Sequence, residues 1–156
     1  MRNRVAVALV LLLSSTTAFS HTLNVPFFSD NSGVVNQGGT VSSGFASFIG
    51  VLNTTASPIV INIVYLQTDP GTGDILVQAP QQYTLDAREG VSWRPMIDDP
   101  SEGAGLGVPN GNPSLSSSGS IQIIWSGGDN TNLSVIGRFV QIGPNQAFSH
   151  VLETAE

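Results

Sequence analysis

The chain has 156 residues, no cysteine and no lysine, and eleven acids against five arginines set its formal net charge at −6. Without thiols it has no disulfide framework, no thiolate metal site and no lipid-modified cysteine. So few cations cannot neutralise phosphates, which argues against nucleic acid and anionic membranes as partners. Only 10% of residues are charged, so the surface is covered by neutral polar groups.

The first twenty residues have the layout of a secretory signal. Arg2 and Arg4 form a positive start, residues 5–13 are unbroken apolar sequence, and residues 14–20 are mostly small and polar. Nine apolar residues are too few to cross ~30 Å of hydrocarbon as a helix. Ala18 and Ser20 fit the small positions of a cleavage site that leaves His21 first, and a cut after Ala18 leaves Phe19 first. The expected division is therefore a signal peptide over 1–20 and one β-sandwich domain over 21–156, in the periplasm or at the extracellular surface. Loss of Arg2 and Arg4 leaves three arginines against eleven acids, a mature charge of −8.

The mature chain reads as short β-branched runs broken by turn clusters, with no sustained 3.6-residue period. Residues 22–28 are the first run, closed by Ser29-Asp30-Asn31-Ser32-Gly33, and 45–52 the next. Residues 59–67 are the strongest strand, with Ile59, Ile61, Ile63 and Tyr65 on one face and Val60, Val64 and Leu66 on the other. Apolar residues on both faces predict a central strand covered on both sides along part of its length. The turn at 68–73 predicts a hairpin into 74–78. Residues 82–85 and 91–94 flank a turn at 86–90, and 120–126 and 133–142 flank a hairpin signal at 127–130. The last strand is expected over 147–152. Trp93 is in phase with Val91, and Trp125 with Ile121 and Ile123, which places both tryptophans between sheets and not on an exposed sugar-binding platform.

Residues 96–118 are the one long irregular stretch, with Asp98, Asp99, Glu102 and several glycines and prolines. Long loops in compact domains are often functional. Hard oxygen donors make those three acids a candidate calcium set, and the plainer reading is solvated loop acids pairing with Arg94. Asp69 and Asp74 flank a glycine turn in the same manner. His21 and His150 are the only histidines. If His21 is first, its amine and ring, with His150 as a third nitrogen donor, form a candidate copper site of the kind found in histidine-brace proteins. Asn53-Thr54-Thr55 and Asn132-Leu133-Ser134 match glycosylation acceptors. No nucleophile elbow, phosphate loop, zinc-binding helix motif or pair of catalytic glutamates is present, so no enzyme activity and no cofactor are expected.

The run 48–55 with 58–65, followed by Tyr83-Thr84-Leu85 and Val91-Ser92-Trp93, resembles bacterial extracellular immunoglobulin-like modules. The resemblance implies a single immunoglobulin-like β-sandwich of about eight or nine antiparallel strands, used in surface structure, adhesion or filament-type assembly. The expected function is a secreted non-enzymatic structural or interaction module with protein partners, itself or glycans. The alternative is a periplasmic or secreted copper- or carbohydrate-binding sandwich using His21 and His150. The apolar segment 22–28, tethered by the glycine-rich stretch 36–44, is a candidate for strand addition between subunits, against the plainer role of a first strand in its own domain.

Overall fold

The computed structural model describes residues 20–33, 35, 41–126 and 134–155. Residues 1–19 of the expected leader, the stretch 36–40 and the turn at 127–133 lie outside them, as does the acceptor residue Asn132.

The described residues form an all-β sandwich. Its strands are β1 (Ser20–Ser29), β2 (Ala46–Asn53), β3 (Ile59–Thr68), β4 (Ile75–Val77), β5 (Gln81–Leu85), β6 (Gly90–Trp93), β7 (Ser118–Ser126), β8 (Val135–Gly143), β9 (Gln146–Leu152) and β10 (Thr154–Ala155). One sheet has the order β10-β1-β7-β3-β4, with β5 also pairing directly with β3 along its first half, and the other has the order β6-β2-β8-β9. Every pairing is antiparallel. The expected sandwich of about eight or nine antiparallel strands is the one found among the described residues, with the two-residue β10 in addition.

Alternation along the strands builds the core. Leu23, Val25 and Phe28 from β1, Ile61, Ile63 and Tyr65 from β3, and Ile121, Ile123 and Trp125 from β7 face Ile49, Val51, Val91, Trp93 and Phe139 of the other sheet. Burying each such aliphatic side chain stabilises the fold by about 1.5–3 kcal/mol. Both tryptophans are fully buried, with their indole N–H groups satisfied: Trp93 donates to the Tyr65 hydroxyl and Trp125 to the Ser134 hydroxyl, each at 3.0 Å. That is the place their phase predicted, and it removes them as a sugar platform.

One expectation changes and two are made definite. The hairpin between β3 and β4 forms, with Leu66 opposite Val77, but the strands either side of 127–130 do not pair with each other. β7 lies in one sheet and β8 in the other. The outer face of β3 is covered at Val64, while Val60 is half exposed, so only its middle is buried on both sides. Finally, β1 is integral: Leu23, Val25 and Phe28 are fully buried in the chain's own core, and its register against β7 shifts around Pro26, which has no N–H for the ladder. The plainer role for segment 22–28 is the one this fold adopts.

Candidate functional site: a buried arginine beneath the long loop

Strand β6 ends at Trp93, and Arg94-Pro95 carries the chain into the long loop. Arg94 is completely buried in a chain that has only two other arginines after residue 20. A buried guanidinium is tolerated only when its charge is paired and its hydrogens are all used. Its Nε donates to Asp30 Oδ1 at 2.9 Å, and Nη2 donates to the same oxygen at 2.5 Å. Nη2 also donates to the Ser32 carbonyl and hydroxyl, each at 3.0 Å. Nη1 donates to the Gly33 carbonyl at 2.8 Å and to Asp99 Oδ2 at 3.0 Å. All five N–H groups of the guanidinium therefore end on the chain's own oxygens. Its face lies over the Phe48 ring at 6.0 Å.

The carboxylates are held from both sides. Asp30 Oδ2 accepts the Met96 N–H at 2.9 Å. Asp99 Oδ2 accepts the Val35 N–H at 2.6 Å, and its Oδ1 accepts the N–H and hydroxyl of Ser101 at 3.0 and 2.7 Å. Burial pushes the Asp30 carboxyl up, and Arg94 with the N–H groups of Met96 and Ser47 offsets only part of that. At Asp99 burial also pulls upward, but the N–H groups of Val35 and Ser101, the Ser101 hydroxyl and Arg94 outweigh it and hold the carboxyl below its ordinary value. Asp99 thereby caps the 3₁₀ segment Pro100–Gly107.

That segment packs on β6. Gly105 sits so close that a Cβ there would lie 1.8 Å from the Ser92 carbonyl oxygen, so only glycine fits. Glu102 Oε1 accepts the Arg94 backbone N–H at 2.9 Å. Burial, with the charges of Asp98 and Asp99, pushes the Glu102 carboxyl up to about 7.

The rest of the loop is fastened to β3 and β5. Gln67 is fully buried. Its Nε2 donates to the Ser116 carbonyl at 2.6 Å, and its Oε1 accepts the Asn112 N–H at 2.9 Å and a bond from Gln78 Nε2. The Tyr65 hydroxyl donates to the Pro109 carbonyl at 2.8 Å, and Gln81 Nε2 to the Asn110 carbonyl at 3.0 Å. Main-chain bonds run from Gly111 N–H to Pro95 at 2.7 Å and from Ser116 N–H to Thr68 at 2.9 Å.

Asp99 does pair with Arg94, but it is buried and not a solvated loop acid. Asp98 is exposed and accepts from Asn110 Nδ2 at 2.8 Å. With both Asp99 oxygens committed to protein donors, Asp98, Asp99 and Glu102 do not form an open shell of oxygens for calcium. Asp69 Oδ1 accepts the Gly71 N–H at 2.7 Å, the ordinary work of a turn aspartate. His21 and His150 lie in different sheets. The His21 ring stacks on Trp125 at 5.5 Å with its Nδ1 buried and unpartnered among the described residues. His150 is exposed and packs beside Phe139 at 5.4 Å. Among the described residues no three histidine or acidic side chains converge for a metal. Asn53 is fully buried, its Nδ2 donating to the carbonyls of Ser57 and Asp86 at 2.8 and 2.9 Å. It is therefore closed to glycosylation in the folded domain.

Two residues at the heart of the site, Asp30 and Gln67, were not singled out from the sequence. The available signal was the lone Arg94 between Trp93 and Pro95: a cation embedded in apolar sequence demands a buried anion. Compared with known proteins, the chain matches no family model, no curated protein and no solved structure.

Proposed function

We propose that this protein is a secreted, non-enzymatic β-sandwich that serves as a structural or interaction module at or beyond the cell surface. Immunoglobulin-like kinship is part of the same proposal, and two antiparallel sheets packed face to face are compatible with it. The observation that carries the reading is the saturation of Arg94. The long segment, which sequence alone marks as the natural ligand loop, spends its buried charges and amides on the domain itself. Such a loop stiffens a scaffold, and recognition then falls to the outer strands and edges. Protein partners, further copies of the chain and glycans are the classes such surfaces serve, with no cofactor required.

One observation favours a copper reading as the second choice: the unpartnered, buried Nδ1 of His21, beside the expected mature terminus. The test is to express the full chain with its own leader and recover the external fraction. The mature mass, the metal content and in-cell cross-linking are then measured on that fraction. The module reading predicts a processed, metal-free chain in cross-linked higher-mass species. An unprocessed chain kept inside the cell contradicts it, and one copper per chain with His21 first turns the choice to the second reading.

A further inference from the structure

Sheet edges are reactive, because each carries a row of unpaired N–H and C=O groups. In this fold the two edges of the β6-β2-β8-β9 sheet are treated differently. The β6 edge is closed by the 3₁₀ segment, with Gly105 against the Ser92 carbonyl and Glu102 on the Arg94 N–H. The β9 edge is bare. Among the described residues β9 pairs only with β8, in an unbroken register from Gly137 opposite Leu152 to Gly143 opposite Gln146. Six consecutive residues, 146–151, are exposed, including Phe148 at 49% and Val151 at 72%.

None of the usual protections is present on that strand. It contains no proline, no bulge and no charged residue, and the chain has no lysine to place there. The one charge beside it on β8 is Arg138, opposite Val151, whose Nη2 donates to the Ser149 hydroxyl at 2.8 Å. In a protein of charge −6, a strip with no acid and one neighbouring cation is where two copies approach with least acid–acid repulsion. The strand is also complementary to itself. Read antiparallel about Ser149, Phe148 stands opposite the partner's His150, and Ala147 opposite the partner's Val151. Phe148 and His150 share the face on which both rings meet Phe139, at 5.8 and 5.4 Å. Pairing therefore extends an aromatic row on one face and adds an aliphatic contact on the other, and both kinds of cross-strand pair are stabilising.

We infer that β9 is the edge through which two copies of this chain pair, antiparallel and centred on Ser149, joining their β6-β2-β8-β9 sheets into one continuous sheet. The inference rests on the module reading and names the partner.

The experiment is light scattering on the mature protein across a concentration series, with two double variants. A147K/V151K places like charges directly opposite across the two-fold axis. A147K/V151E places opposite charges there, at the same exposed positions. Wild type is expected to reach twice the chain mass. A147K/V151K should raise the dimer dissociation constant at least tenfold with an unchanged far-ultraviolet dichroism, which shows that the fold is kept, and A147K/V151E should restore most of the loss. A monomeric wild type at millimolar concentration overturns the inference. So does a dimer that both variants leave intact, although assembly by another surface then still stands. The module reading is tested separately: it falls if in-cell cross-linking also finds the chain alone, or by the processing and metal outcomes given above.

Discussion

Glu102 Oε1 accepts the backbone N–H of Arg94 at 2.9 Å, while Glu102 Oε2 is buried without a hydrogen-bond partner among the described residues. The two residues thus meet through the main chain, and the Arg94 guanidinium spends its charge on Asp30 and Asp99 instead. Glu102 is left as a buried acid with no cation of its own, which is why its carboxyl is pushed up to about 7 from an ordinary 4.5.

A pH dependence follows from that position. A carboxyl whose folded pKa is raised favours folding while it is protonated. Its contribution is full below about 4.5, declines as pH rises through about 7, and is flat above. Asp99 acts in the opposite direction, at pH below its ordinary 3.8, outside this window. Denaturant unfolding from pH 4.5 to 8 should show wild type losing on the order of 1–3 kcal/mol relative to E102Q, whose amide does not titrate. Parallel curves for the two proteins would refute the assignment.

The Arg94 site predicts a large stability loss from a change that leaves volume nearly intact. R94M removes every guanidinium bond and leaves Asp30 and Asp99 buried without a cation, which costs about 3–5 kcal/mol. R94K keeps the charge but has three donors where five are used, so it should recover only a minor part. Urea melts of the two variants check this. A loss below about 1 kcal/mol for R94M would mean that the site is open to water.

Trp93 makes the parallel case for the apolar core. It is fully buried and its indole N–H reaches the Tyr65 hydroxyl, so W93A should cost about 3–5 kcal/mol. W93F keeps most of the ring and should lose about 0.5–1.5 kcal/mol beyond its smaller volume, the value of a buried hydrogen bond. Thermal melts of both decide it, and a W93A midpoint near wild type would return the tryptophan to the surface.

The strands were legible because alternation is local. Ile61, Ile63 and Tyr65 point one way whatever lies across from them, and Val91 with Trp93 or Ile123 with Trp125 carry the same message. Sheet membership was not local. The residues 127–130 announce a reversal of chain direction, and that chemistry is the same whether the next strand pairs back or lies in the opposite sheet, as β8 does after β7. The pairing of Asp99 with Arg94 was within reach, five residues apart, whereas Asp30 meets Arg94 across 64 residues. Asn53 illustrates the limit of motifs: the acceptor triplet is intact, but the side chain turns inward to tie a turn. The edge character of β9 could not be read before the sheet order was known.

The long loop is a fastened part of the scaffold, and backbone amide hydrogen exchange across residues 94–118 reads out whether it opens apart from the strands. The N–H groups of Arg94, Met96, Gly111 and Ser116, held by Glu102, Asp30, Pro95 and Thr68, should exchange as slowly as those of β3 and β7, through global unfolding. Exchange of these four amides near the unprotected rate, with β3 and β7 still protected, would show a loop that opens independently and would contradict the account.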